Sequence, residues 1–189
     1  MTASAVTTAP SSRDDDTMTS ADESRSVSPG GQPMGLEAER VQLRAIGRLL
    51  YPTLNSEHDR VEMQVNVAGG VLAGRTRVHR LDGSLESIIG PVDAFEAAEV
   101  LRDAMHRREA GTWFTAVFTV TAAGKMSASY DYDHEPELGH FAAEAYRADF
   151  DEFPRTPENT PDWLAAILAG APTRHDLARR ADGGGGAER

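Results

Sequence analysis

Apolar positions first repeat with a helical period at Leu36. Leu36, Leu43, Ile46 and Leu50 share one face of a helix of about 15 residues. Val41 and Leu49 widen that face, and Glu37, Glu39, Arg40, Arg44 and Arg48 lie elsewhere. Tyr51-Pro52 ends the helix, because the residue before a proline is pushed out of the helical region. Residues 60–67 alternate without a fault: Val61, Met63, Val65 and Val67 face one way, Arg60, Glu62, Gln64 and Asn66 the other. Ala68-Gly69-Gly70 reads as a turn and residues 71–80 as a second strand with Arg75, Arg77 and His79 on its wet face. Asp82-Gly83 makes the next hairpin turn, into a short strand over 85–89.

Gly90-Pro91 then breaks the strand pattern. The spacing predicts a helix over 93–108 that buries Phe95, Ala98, Leu101 and Met105 and stops at Gly111. Two further strands, 113–121 and 125–133, are joined by Ala122-Ala123-Gly124. Phe114, Phe118 and Val120 line one face of the first; Met126, Ala128, Tyr130 and Tyr132 line one face of the second. A helix over 137–150 carries Leu138, Phe141, Ala145 and Phe150. After the link Phe153-Pro154-Arg155-Thr156-Pro157, Thr160 is expected to cap, and Pro161 to open, a helix that includes Trp163 and Leu164. Thr173 with Asp176 resembles a capping box for one last short helix. Trp113 and Trp163 read as core or lid anchors. The order α-β-β-β-α-β-β-α-α, with strands in runs, implies an α+β fold: an antiparallel sheet of about five strands packed by helices on one face.

Composition changes the picture at the ends. Residues 1–33 are Ser, Thr, Asp, Pro and Gly with few large apolar side chains, too little to offset ordering entropy, and are expected to be a disordered tail. Residues 182–189, rich in glycine, read as a second tail. Residues 34–181 are expected to form one domain. The chain has no cysteine, which excludes a disulfide scaffold, a thiolate zinc site and a thiol nucleophile. No apolar run approaches the ~20 residues of a membrane span, and the N-terminus lacks a signal-peptide stretch, so the expected location is the cytoplasm and no membrane partner is expected. Lys125 is the only lysine among 19 basic residues, a bias of high-GC bacterial genomes such as those of actinobacteria.

The formal charge of −11 argues against a nucleic-acid partner, whose phosphates need a basic footprint. The acidity is local. Between Asp131 and Asp162 ten carboxylates stand against two arginines, Arg147 and Arg155, a balance of −8, whereas residues 34–130 are nearly neutral. Such asymmetry steers a basic partner. Catalytic signatures are missing: there is no nucleophile elbow, no paired-histidine metal motif and no strand-to-helix glycine fingerprint. Gly124-Lys125 sits in a hairpin without the upstream glycine of a phosphate loop and reads as a turn with a solvated lysine. The six histidines are scattered and read as solvated. The stretch 131–137 fails as a calcium loop, since Pro136 stands where glycine is required and Ala142 where the bidentate glutamate belongs. Asp131 and Asp133 share a strand face. They are either a solvated face, a recognition surface, or a general acid/base or metal pair.

A strand ending Gly124-Lys125, a strand ending Tyr130-Asp131-Tyr132-Asp133, then Phe150-Asp151-Glu152-Phe153-Pro154-Arg155 and Pro161-Asp162-Trp163-Leu164 together resemble the YezG-like immunity protein family. Tyr132, Phe153, Pro154, Arg155, Pro161, Trp163 and Leu164 are the structural motif of that resemblance. Its members are antitoxins encoded beside secreted bacterial toxins, often nucleases. The resemblance implies inhibition by direct binding, with no catalytic residues, no cofactor and no metal. The expectation is an immunity protein that blocks a cognate toxin with the acidic surface around Asp131, Asp133, Glu135 and Glu137, extended by Asp149, Asp151 and Glu152. Two other readings stand beside it: a metal-assisted hydrolase built on Asp131 and Asp133, and an adaptor or chaperone-like protein for a secretion substrate.

Overall fold

The computed structural model describes residues 36–183. The expected tail over 1–33 therefore lies outside the described residues, as do positions 184–189 of the expected C-terminal tail. Helix α1 spans Leu36–Leu50 and tightens into a 3-10 turn at Tyr51–Thr53, where Pro52 can donate no further helical hydrogen bond. Strands β1 (His58–Ala68), β2 (Val71–Arg80) and β3 (Leu85–Ile88) form a meander, followed by helix α2 (Val92–Ala104). Strands β4 (Thr115–Thr121) and β5 (Met126–Asp131) make a second hairpin, and helices α3 (Ala142–Glu152), α4 (Asp162–Leu168) and α5 (Arg174–Gly183) complete the chain. All pairings are antiparallel in the order β3-β2-β1-β4-β5. The fold is the α+β arrangement the patterning predicts.

Alternation along β1 decides where the core sits. Val61, Met63 and Val65 are fully buried beneath α1 and α2, with Ile46, Leu50, Ala98 and Leu101 from the helices and Phe118 from β4. Each large apolar side chain so buried stabilises the fold by roughly 1.5–3 kcal/mol. The stripe on α1 is narrower than its pattern suggests: Leu36 and Val41 are exposed, and packing begins at Leu43. His58, expected to be solvated, is buried at the start of β1, where its Nδ1 accepts the Asn55 N–H.

A second cluster gathers Ala68, Phe114, Leu138, Ala145, Tyr146, Leu164 and Ile167 at the β1–β2 hairpin end, where α3 and α4 pack. Phe114 does not share a face with Phe118 and Val120 as the alternation predicts. Thr115 pairs with Asp131, yet the Phe114 N–H also donates to the Asp131 carbonyl, so two residues of one strand oppose one of the other. That extra residue is a β-bulge. It sends Trp113 into the main core and Phe114 into the second cluster.

Several helix boundaries differ from expectation. α2 ends at Ala104, because Arg107 N–H turns back to the Gly111 carbonyl and Ala110 bridges Arg155. Phe95 and Met105 are only partly buried, while the polar Arg102 is buried. α3 begins at Ala142, since the carbonyls of Pro136 and Glu137 are already engaged by the Tyr146 hydroxyl and the Asn66 amide. Phe141, expected inside, is 57% exposed. Thr160 does not cap α4: its hydroxyl donates to the Thr156 carbonyl, and Pro161 takes the cap position. Thr173 and Asp176 do form the reciprocal capping box of α5, which continues over positions 182 and 183, expected to be tail. Among the described residues no helix is long and apolar enough to cross a membrane.

Candidate functional site

The acidic stretch leaves the ladder at Asp131, two residues earlier than the alternation predicts, because Asp131 turns the chain. Its Oδ1 accepts the N–H groups of Asp133 and His134 at 2.9 and 3.0 Å, and the His134 ring lies 2.9 Å from Oδ2. Partial burial pushes the Asp131 carboxyl up, but the hydrogen bonds from Asp133 and His134 outweigh it and hold the group below the usual carboxylate range. A carboxyl so held makes a poor proton acceptor near neutral pH.

Beyond the turn, the loop 132–138 is pinned from several sides. Trp163 of α4 donates its indole N–H to the Asp133 carbonyl at 2.7 Å. Tyr146 of α3 donates to the Pro136 carbonyl at 2.8 Å, and Asn66 of β1 reaches the Glu137 carbonyl at 3.4 Å. Glu135 accepts the backbone N–H of Arg174 at 2.8 Å, a carboxylate placed at the N-terminus of α5 where the helix dipole favours it. The loop is a rigid element rather than a floppy connection, and its backbone rather than its acidic side chains carries most of the pinning.

Behind the loop stand two buried arginines that the patterning does not single out as a pair. Arg155 donates to the carbonyls of Thr112 and, at 3.3 Å, Asn159, and its guanidinium lies 4.5 Å from the Phe114 ring. Burial pushes its pKa down, against the pull of nearby Asp149. Arg102 of α2 donates to the Trp113 carbonyl at 2.8 Å and to Asp149 at 2.7 Å, both side chains almost fully buried. Phe153 is buried beside Arg102, 5.1 Å from its guanidinium, and Leu164 is buried in the second cluster. Trp163 meets Phe114 and Tyr146 edge-on at 5.1 and 5.0 Å. Tyr132 packs against the main core, and burial raises its hydroxyl. Pro154 is exposed. The motif residues are thus mostly the buttress of the loop.

The seven carboxylates expected to meet a partner divide in three. Asp133, Glu137, Asp151 and Glu152 are exposed. Asp131 and Glu135 are half-buried and engaged with the loop's own backbone and with α5. Asp149 is not on the surface at all. Its Oδ1 accepts from Arg102 and from the Gly69 N–H at 3.0 Å, and it belongs to the core. A Cβ on Gly69 would collide with the Ala145 carbonyl, so that turn can approach α3 and Asp149 only as glycine. Asp151 and Glu152 lie on the last turn of α3, roughly 8 Å along the helix from Tyr146, where the loop docks.

Two shallow clefts flank the loop, of about 290 and 300 Å³: Asp133 and Tyr132 line one with Asn159, Glu135 and Glu137 the other with Arg174 and His175. No protein-family model and no curated protein matches the chain. Exposed Phe141 escapes the sequence pattern: its ring lies 3.9 Å from that of His140, tilted by 44°, and the His140 ring lies 6.4 Å from that of His175. Its helical spacing with Leu138 and Ala145 disguises it as a core position. Among the described residues no three histidines or carboxylates converge as a metal site would require.

Proposed function

We propose that the protein acts by binding another protein, as an immunity protein of the YezG-like kind whose acidic loop occupies the cationic site of a cognate toxin. One observation carries this reading: a loop fixed by Trp163, Tyr146, Asn66 and the start of α5 turns Asp133 and Glu137 to solvent. A pre-ordered loop loses little entropy on docking. Exposed Phe141 beside it offers an aromatic anchor within a charged rim, the usual anatomy of a binding patch. A nuclease or other phosphate-handling toxin needs cationic groups in its site, and outward carboxylates meet them while accelerating encounter.

The hydrolase reading requires Asp131 and Asp133 to share work on a substrate. Asp131 instead faces its own turn, with its proton affinity lowered by it. The adaptor reading remains a variant of the same binding chemistry with a different partner.

The decisive experiment measures association with the toxin encoded beside this chain, across a salt series. Asp133→Lys with Glu137→Lys is expected to slow association far more than it speeds dissociation, and the parent rate to fall as salt rises, because the Debye length shrinks from about 10 Å at 0.1 M to about 3 Å at 1 M. Among the described residues neither side chain has a structural contact beyond a long, exposed one of Glu137 with Arg174, so circular dichroism should not change. Salt-independent association with intact affinity in the double variant would overturn the assignment. Hydrolytic turnover abolished by Asp133→Asn would replace it with the enzyme reading.

A further inference from the structure

At the other end of β5 lies a surface of opposite sign. An open groove of about 640 Å³ runs between α1 and β5, floored by Leu43, Met126 and Ala128. Gly47 of α1 also lines it, and a Cβ there would stand 2.8 Å from the Met126 sulfur. Arg40, Arg44 and Arg48 line it at intervals of four residues and are exposed. Among the described residues none of the three is in an ion pair.

β5 is also the last strand of the sheet, and among the described residues no strand pairs its outer edge. Thr121 N–H donates to the Lys125 carbonyl, which fixes that pair as hydrogen-bonded and, by alternation, sends the N–H groups of Ser127 and Ser129 toward β4. The amides of Met126, Ala128 and Tyr130 then face the open edge. Natural edges are guarded by charge, proline or bulges. The opposite edge, β3, carries Glu86 tied to Arg80, whereas β5 reads Met-Ser-Ala-Ser-Tyr before its first charge, Asp131.

The geometry points to a docking site for an extended acidic segment of a partner protein, added as a sixth strand along β5 with alternate carboxylates under the arginines of α1. The spacings agree. Arginines four apart on a helix recur every ~6 Å, and every second residue of a strand recurs every ~6.7 Å. The intervening side chains of such a strand would face away from α1, and its backbone would meet the free amides, the mode of strand-addition recognition. A second copy of this chain is a poorer occupant, because pairing β5 with β5 would bring two arginine stripes toward one another. This site is independent of the acidic loop, and either assignment can fail without the other.

The test uses the full chain and a fluorescein-labelled eight-residue peptide of alternating valine and glutamate, with alternating valine and lysine as control. The acidic peptide should bind saturably by fluorescence anisotropy and slow hydrogen exchange at Met126, Ala128 and Tyr130. Arg44→Glu with Arg48→Glu should weaken binding by about tenfold or more, as expected for charge-reversed steering contacts. Ala128→Pro removes an outward amide, at a position where an edge strand accepts proline, and should abolish binding at an unchanged melting temperature. If it unfolds the protein, the arginine pair and the exchange pattern still decide. Equal binding of the lysine peptide, no saturation by about 1 mM, or undiminished binding to the arginine variant would overturn the proposal. Self-association that Ala128→Pro abolishes would assign the edge to a second copy instead, and would equally overturn it.

Discussion

Asp149→Ala isolates the buried ion pair that ties α3 to α2. In the native fold the Arg102 and Asp149 side chains are 3% and 4% exposed and 2.7 Å apart. Truncating Asp149 leaves the guanidinium in the core with the Trp113 carbonyl and the rings of Trp113 and Phe153, but without a counter-charge. It also strips the Gly69 N–H of its acceptor. Removing one member of a buried pair typically costs about 3–5 kcal/mol, a large share of the ~5–15 kcal/mol that holds a domain together. For a domain of this size each kcal/mol lowers the melting temperature by about 2–4 °C, so a fall of roughly 6–20 °C is expected. Urea unfolding of Asp149→Ala, Arg102→Met and the double variant forms a mutant cycle. The double variant should recover part of the loss, since it no longer strands a charge. A cost below about 1 kcal/mol, or purely additive losses, would refute the pairing argument. Unchanged stability with lost partner binding would return Asp149 to the recognition surface.

Trp163→Ala should cost about 2–4 kcal/mol, less than the ~3–5 of a fully buried aromatic, because the indole is half-exposed though packed on Phe114 and Tyr146. Trp163→Phe should lose mainly the Asp133 hydrogen bond, about 1 kcal/mol; wild-type stability of the alanine variant with lost partner binding would make Trp163 a recognition residue. For Asp131 the sign follows from a folded pKa below the ordinary value: its contribution is complete above about pH 4 and disappears as pH falls through the lower folded value. Carboxyl titration followed by NMR should show Asp131 protonating below the usual Asp range, with the Asp133 and His134 amides shifting in step, and Asp131→Asn should remove that step.

Much of the fold is legible in the pattern because β1 and β2 are long, β1 alternates cleanly and the two are joined by two glycines. There, period and turn chemistry agree, and the register from Ala68–Val71 to Arg60–His79 follows. Failures occur where a long-range contact overrides a local period. Phe114 has the parity of Phe118, but the bulge opposite Asp131 reverses it. Phe141 has the spacing of a core residue, but Asn66 and Tyr146 capture the carbonyls that an earlier helix start would need. The candidate site is legible as an acidic segment, and not as a division of labour within it. Asp149 and Asp151 are two residues apart in one helix, one buried on Arg102 and one in water. Nothing in the local sequence says that a helix 47 residues earlier supplies the arginine.

That division bears on why the exposed charges are there. The ionic contacts that hold the C-terminal half together use Arg102, Asp149, Arg155, Asp131 and Glu135, each tied to named backbone or side-chain partners. Among the described residues Asp133, Asp151 and Glu152 make no such contact, nor do Arg40, Arg44 and Arg48 along the groove beside β5. Exposed like charges add self-repulsion and contribute little to stability. Among the described residues neither group ties the fold together, and the two differ in sign. Strand β5 links them physically: its edge leads from the arginine-lined groove to the turn at Asp131.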